Sequence, residues 1–135
     1  MKGPTFLALE QVLAIHADQI TRYGGSTGIR DLGLLQSALA MPCASFGGQY
    51  LHPSLHEMAA ACLFHLVQNH PFIDGNKRVA ITMTAAFLRV NGCRLEFEDA
   101  EAYKFLIGLY ESGRMRFGEL DRWLRLHVQS SPAAR

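Results

Sequence analysis

The chain has 135 residues, 49% of them hydrophobic and 19% charged: enough apolar material for one core, and too little length for two domains of ordinary size. Lysines and arginines outnumber acidic residues by 13 to 12, a formal net charge of +1, which excludes a strong electrostatic claim on nucleic acid or an anionic membrane. No apolar run reaches the roughly 18 residues that cross a bilayer.

The first predicted element is an amphipathic helix from about Leu7 to Tyr23, with Leu9, Val12, Leu13, His16 and Ile20 on one face. The residues before it lack the apolar stretch of a signal peptide. Three cysteines, Cys43, Cys62 and Cys93, lie far apart, so the expectation is a reduced, cytoplasmic protein. Gly24-Gly25-Ser26 ends the helix. Asp31 has the place of an N-cap for a short helix through Leu39, which Pro42 stops. Residues 44 to 52 carry Phe46, Gly47, Gly48 and Tyr50 and form a loop or short hairpin. Ser54-Leu55-His56-Glu57 has the form of a capping box and opens a helix to about Asn69. A helix from about Asn76 to Val90 is apolar nearly all round, hence central. Arg94 to Phe97 alternates polar and apolar and is read as extended. Glu98 or Asp99 caps a helix from about Ala100 to Glu111, and a last helix runs from about Phe117 to Val128. Residues 1–5 and 129–135 are expected to be flexible. The pattern predicts an all-α fold, a compact bundle of about six helices, as a single domain over residues 1–135.

Between the two long apolar helices stands His70-Pro71-Phe72-Ile73-Asp74-Gly75-Asn76-Lys77-Arg78. No folding requirement asks for this combination. Its place before a helix N-terminus is one where backbone N–H groups and the macrodipole favour an anion such as phosphate. His70 follows a helix end and precedes Pro71, which favours extended backbone, and can accept a proton from a hydroxyl near neutral pH. Asp74 is a hard oxygen ligand suited to Mg²⁺ held largely by phosphates. Gly75 allows close backbone approach, Asn76 can donate to phosphate oxygens, and Lys77 and Arg78 add positive charge. Phe72 is read as an anchor to the core. Asp-Gly-Asn alone would be an ordinary surface turn. That reading leaves unexplained two cations in a first helical turn, where each opposes the macrodipole at a cost of about 0.3–1 kcal/mol. A bound polyanion reverses the sign.

Other residues have plainer readings. His52 and His56 are separated by Pro53 and Ser54 and lack partners at zinc-site spacing. His65 is read as a core histidine, and His16 and His127 as half-buried. Cys43 has no orienting partner for nucleophilic work. Phe105, Tyr110 and Trp123 are read as core. The Gly24-Gly25 turn faintly suggests helix-turn-helix, but few basic residues follow it.

The nine-residue run resembles the signature of the Fic/Doc superfamily. Upstream, Gly28-Ile29-Arg30-Asp31-x-Gly33-Leu34-Leu35-x-Ser37-Ala38-Leu39 resembles its death-on-curing (Doc) branch, the toxins of toxin–antitoxin pairs. The similarity covers about Leu7 to Leu124. It implies transfer of part of a nucleotide triphosphate, with Mg²⁺ and ATP as cofactors, to a protein hydroxyl. His70 would be the general base, Asp74 would hold Mg²⁺, and Gly75, Asn76, Lys77 and Arg78 would cradle the phosphates. Phe46, Gly47, Gly48 and Tyr50 would belong to a flap that aligns the target by strand pairing.

Adenylyl-transferring members have Gly-Asn-Gly-Arg and a second arginine three residues later. Here those places hold Lys77 and Ile81, and Ile81 cannot hold a γ-phosphate. Doc-type members share Asn-Lys-Arg, and likeness to that branch implies that ATP binds in the opposite sense and passes on its γ-phosphate. Gly75 departs from the Doc pattern, which has alanine there. The resemblance thus implies a type II toxin that phosphorylates elongation factor Tu and inhibits translation. Adenylyl transfer is the alternative, and an inactive binding module a third reading. No glutamate is followed by glycine or asparagine, so the inhibitory motif of many Fic proteins is missing from this sequence. Restraint is expected from a separate antitoxin, and the free toxin is expected to be a monomer.

Overall fold

The computed structural model describes residues 3–130, and among them run six helices and two short antiparallel ribbons. Helix α1, Leu9–Tyr23, starts slightly later than its periodicity suggests, because Gln11 reaches back and its Oε1 accepts the Ala8 N–H at 2.7 Å. It ends at Gly24, where φ is 82° and the N–H donates to the Ile20 carbonyl at 2.8 Å. Helix α2, Leu32–Ala40, is capped as expected: Asp31 Oδ1 accepts the Leu34 N–H at 2.9 Å.

The glycine-rich stretch is a hairpin. Strands β1, Ser45–Phe46, and β2, Gln49–Tyr50, pair with Phe46 opposite Gln49. Gly47 and Gly48 make the turn at φ 60° and 80°, which a side chain would resist and which suits the twist of a two-residue turn.

Helix α3, Leu55–Asn69, begins at Ser54, whose Oγ accepts the Glu57 N–H at 3.1 Å. The expected capping box forms only in part. The Glu57 carboxylate takes the proton of that same hydroxyl at 2.9 Å rather than the Ser54 backbone N–H. A hydroxyl that accepts one bond still has a proton to place, and the carboxylate is a strong acceptor.

Helix α4, Asn76–Val90, is central: it packs on α3 and also touches α1 and the fifth helix, α5, Asp99–Glu111. Its residues Val79, Ala80, Met83 and Leu88 are buried in one core with Val12, Leu63, Leu106, Leu120 and Leu124. Helix α6 is Phe117–His127. Phe105 and Trp123 stack at 5.3 Å against that core. Tyr110 does not join them: it is 42% exposed, because its place near the end of α5 carries it past the packed face.

Two expectations about chain ends are corrected. Gln129 does not fray. Strand β4, Val128–Ser130, pairs with β3, Cys93–Leu95, with Arg94 opposite Gln129, and the Glu96 N–H adds a bond to the His127 carbonyl at 2.8 Å. Three residues are too few for a period-two pattern to stand out. Thr5 is tied down as well, exchanging backbone bonds of 2.7 and 2.8 Å with the Asn91 side chain. Residues 1–2 and 131–135 lie outside the described residues.

Candidate active site

The motif loop joins α3 to α4. Its first residue departs from the extended backbone that Pro71 favours: His70 lies at φ 47°, ψ 55°, in the left-handed region. It ends α3 there, a role usually given to glycine. Arg30 makes this tenable. Its Nε donates to the His70 carbonyl at 2.6 Å and its Nη2 to the Asn69 carbonyl at 2.7 Å, satisfying carbonyls that a helix end leaves free. The Pro71 carbonyl accepts the Arg30 and Asp31 N–H groups at 2.7 and 3.0 Å, and the Ile73 N–H donates to the Gly28 carbonyl at 3.2 Å. The segment before α2 therefore straps the motif loop in place. Arg30 was not singled out from sequence; its signal is a lone cation in a glycine-rich block just ahead of an N-cap.

Phe72 anchors the loop as expected, 1% exposed. Two further residues hold it. Asn76 Oδ1 accepts the Phe72 N–H and Nδ2 donates to the Phe72 carbonyl, both at 2.9 Å. Both polar atoms of the buried amide are thus engaged within the loop, because Phe72 cannot enter the core with its backbone groups unpaired. Its backbone N–H stands at the start of α4. The His16 ring stacks on Phe72 with centroids 3.9 Å apart and its Nε2 meets the Asp74 carbonyl at 3.0 Å. A carbonyl can only accept, so Nε2 carries the proton. His16 is 5% exposed, more deeply buried than expected.

Asp74 is exposed. Its Oδ1 accepts the Gly75 N–H at 2.9 Å and its Oδ2 the Ser26 N–H at 3.2 Å. A Cβ on Gly25, which has φ 116°, would stand 2.8 Å from Oδ2, so the turn after α1 must be glycine for the carboxylate to sit there. Each oxygen keeps a second lone pair. No group of three His, Cys, Asp or Glu side chains able to hold a metal occurs among the described residues. A single free carboxylate fits a divalent ion that takes most of its ligands from phosphate and water, as Mg²⁺ does.

Gly75 is the N-cap of α4 at φ 77°, with no side chain capping the helix. The N–H groups of Asn76, Lys77 and Arg78 therefore have no intrahelical acceptor. The two cations lie on different aromatic partners. Lys77 Nζ is 4.4 Å from the Tyr110 ring centroid. Arg78 Cζ is 4.1 Å from Tyr23 and 4.9 Å from Tyr103. Beside Arg78 opens a cavity of about 250 Å³ whose walls include Tyr23, Ile81, Phe97 and Tyr103. Burial first, then the Lys77 charge, push the His70 imidazole below its ordinary 6.5. The Val67 backbone pulls it up, and Arg30 adds a further push down. His70 is accordingly neutral, and able to take a proton, at pH 7.

The hairpin stands apart from this constellation. Phe46 is 85% exposed. The Tyr50 ring lies 5.9 Å from Phe6, which stacks at 5.8 Å on Phe87, roughly 16 Å along α4 from its first residue at 1.5 Å per residue. No described hydrogen bond or ring contact joins Phe46, Gly47, Gly48 or Tyr50 to the motif loop.

Comparison with known proteins agrees with this geometry. The model of the Fic/DOC family matches residues 6–88, more than half of the chain and all of the motif. The chain is 44% identical over 73 residues to a protein named Toxin Doc from Mycolicibacterium smegmatis, covering 54% of this chain and 56% of that protein. It is 31% identical over 99 residues to a protein named Protein kinase doc from Escherichia phage P1, covering 73% of this chain and 77% of that one. The match thus spans little more than half of the first relative and about three quarters of the second. With the motif, its strap and helices α1 to α3 inside the matched span, the chain belongs to the Fic/DOC family.

Proposed function

We propose that this protein is a Doc-type toxin that transfers the γ-phosphoryl group of Mg·ATP to a hydroxyl of a protein target. The observation that carries the proposal is the placing of His70, in ring contact with Tyr110 and so with Lys77, at the uncapped, cation-bearing N-terminus of α4. The target hydroxyl gives its proton to His70 as its oxygen bonds to the γ-phosphorus. The bond from that phosphorus to the bridging oxygen breaks, and ADP leaves. The free N–H groups of Asn76, Lys77 and Arg78, with the two cations, take up the negative charge on the phosphates. Asp74 would hold Mg²⁺, which when bound neutralises phosphate charge. His16, Arg30 and the Asn76 side chain keep this loop in register.

What lies beyond Arg78 supports this direction of transfer. Ile81 is buried and lines an aromatic-walled cavity. That space suits a nucleobase better than a terminal phosphate, which would need a second cation there. With the base in it, the phosphates would extend past Arg78 toward the free N–H groups of α4, which would leave the γ-phosphate as the group transferred. The phage relative's name, Protein kinase doc, supports this sense. Gly75 in its left-handed conformation favours the second reading, adenylyl transfer, because the sequence of adenylyl-transferring members has glycine there. Elongation factor Tu is the target to try first. A separate antitoxin would restrain the toxin, and the hairpin, with one free backbone edge per strand, would align the target segment.

The test is a label comparison with Mg²⁺, elongation factor Tu and ATP carrying label at the α or the γ position. Label transferred from γ alone supports the kinase. Transfer from α establishes adenylylation and sinks it.

A further inference from the structure

Tyr110 has no place in the reaction as described, yet it touches two of its parts. It lies on α5, outside the motif, with its ring centroid 4.4 Å from Lys77 Nζ and 5.6 Å from the His70 ring. It is 42% exposed, so core packing does not account for its aromatic ring. Its neighbours Leu106 and Leu109 supply the burial of α5.

We infer that Tyr110 is a positioning residue of this site, its ring holding the Lys77 ammonium toward the phosphate cradle and confining the His70 imidazole. The inference rests on the nucleotide reading above. Lys77 stands in the first turn of α4, where the helix dipole repels it, on a flexible four-carbon stem that carries about 2 kcal/mol of rotamer entropy. Left alone, such a side chain turns to water. The electron-rich face of an aromatic ring is the partner that holds an ammonium without neutralising it. A carboxylate would hold it more tightly and cancel the charge that phosphate needs. Pre-ordering the cation in this way lowers the ordering cost of binding.

The same ring excludes water from one side of His70. The groups facing that imidazole are Lys77 from α4, Arg30 from the segment before α2, Tyr110 from α5 and the Val67 backbone from α3. Removing the ring hydrates the imidazole and frees Lys77 to move away. Both changes favour its protonated form.

The experiment compares Tyr110→Ala and Tyr110→Phe with the unaltered protein. One readout is the Kd for Mg·ATP. The other is the NMR titration midpoint of His70, assigned by its absence in His70→Ala; thermal melting checks the fold. Tyr110→Ala should weaken Mg·ATP by about two- to fivefold, as loss of an exposed cation–π contact does, and should raise the His70 midpoint. Tyr110→Phe keeps the ring and should match the unaltered protein in both. A His70 midpoint unmoved in Tyr110→Ala overturns the inference. So does an unchanged Mg·ATP affinity, or a Tyr110→Phe variant that behaves like Tyr110→Ala. If the unaltered protein binds no Mg·ATP, the nucleotide reading fails, while the His70 midpoint still decides for or against Tyr110.

Discussion

Two helices of equal length, α3 and α4, pack against each other, and their N-termini are built on opposite principles. The start of α3 is closed: Ser54 takes the Glu57 N–H, and Glu57 places a negative charge in the first turn. The start of α4 is open: glycine in the cap position, no capping side chain, and Lys77 and Arg78 where the dipole is least favourable to them. The first arrangement stabilises the helix by itself. The second is favourable only with an anion present, and that contrast separates structure from function within one helix pair.

Variants can break or sharpen the contrast. The largest effect should come from His70→Ala: phosphoryl transfer should fall by about 10²- to 10⁴-fold, the usual worth of a general base, with the melting temperature not lowered. Next, Lys77→Glu puts an acidic side chain into the first turn of α4, as Glu57 is in α3. Nucleotide affinity should drop about tenfold or more, as for loss of a charge-assisted bond, while denaturant titration of the apo protein should show no net loss, the dipole gain of about 0.3–1 kcal/mol offsetting the lost contact with Tyr110. Asn76→Ala leaves the Phe72 backbone unpaired in a buried loop and should cost about 1–3 kcal/mol by the same titration. Ser54→Ala should cost about 1 kcal/mol and leave the Kd for Mg·ATP unchanged, because it opens the wrong helix.

The smallest effect is one of pH. Burial holds the imidazoles of His65 and His70 below 6.5 in the fold, with His52 a further cause for His65 and Lys77 for His70. The unfolded chain therefore binds protons more readily. Stability should be fully present above 6.5 and should fall as the pH drops below it, which urea midpoints across mildly acid pH would show. His70→Ala should flatten that slope in part, and should remove the acid limb of the activity profile.

The helices were legible because each carries its own signal over many residues: Asp31 and Ser54 at their caps, Gly24 at an end, a continuous apolar surface on Asn76–Val90. The motif was legible because its residues are contiguous. What escaped the sequence was long-range. His16 reaches Asp74 across 58 positions and Arg30 reaches His70 across 40. A histidine on an apolar face and an arginine in a loop look the same whether or not they support a loop far along the chain. Strand β4 escaped for the same reason, since three residues acquire meaning only through β3. The structural duty of Asn76 escaped as well, because an amide serves phosphate and backbone equally well, and only the fold shows its side chain on the Phe72 backbone.

The left-handed backbone of His70 has a consequence for how such a protein is lost. A non-glycine residue in that conformation costs about 1–2 kcal/mol, and the fold carries that cost at the residue proposed as the general base. Replacement by glycine would remove the base and relieve the strain in a single step. Loss of that imidazole is therefore downhill for folding, and copies altered by that route would persist as well-folded chains rather than being cleared as damaged protein.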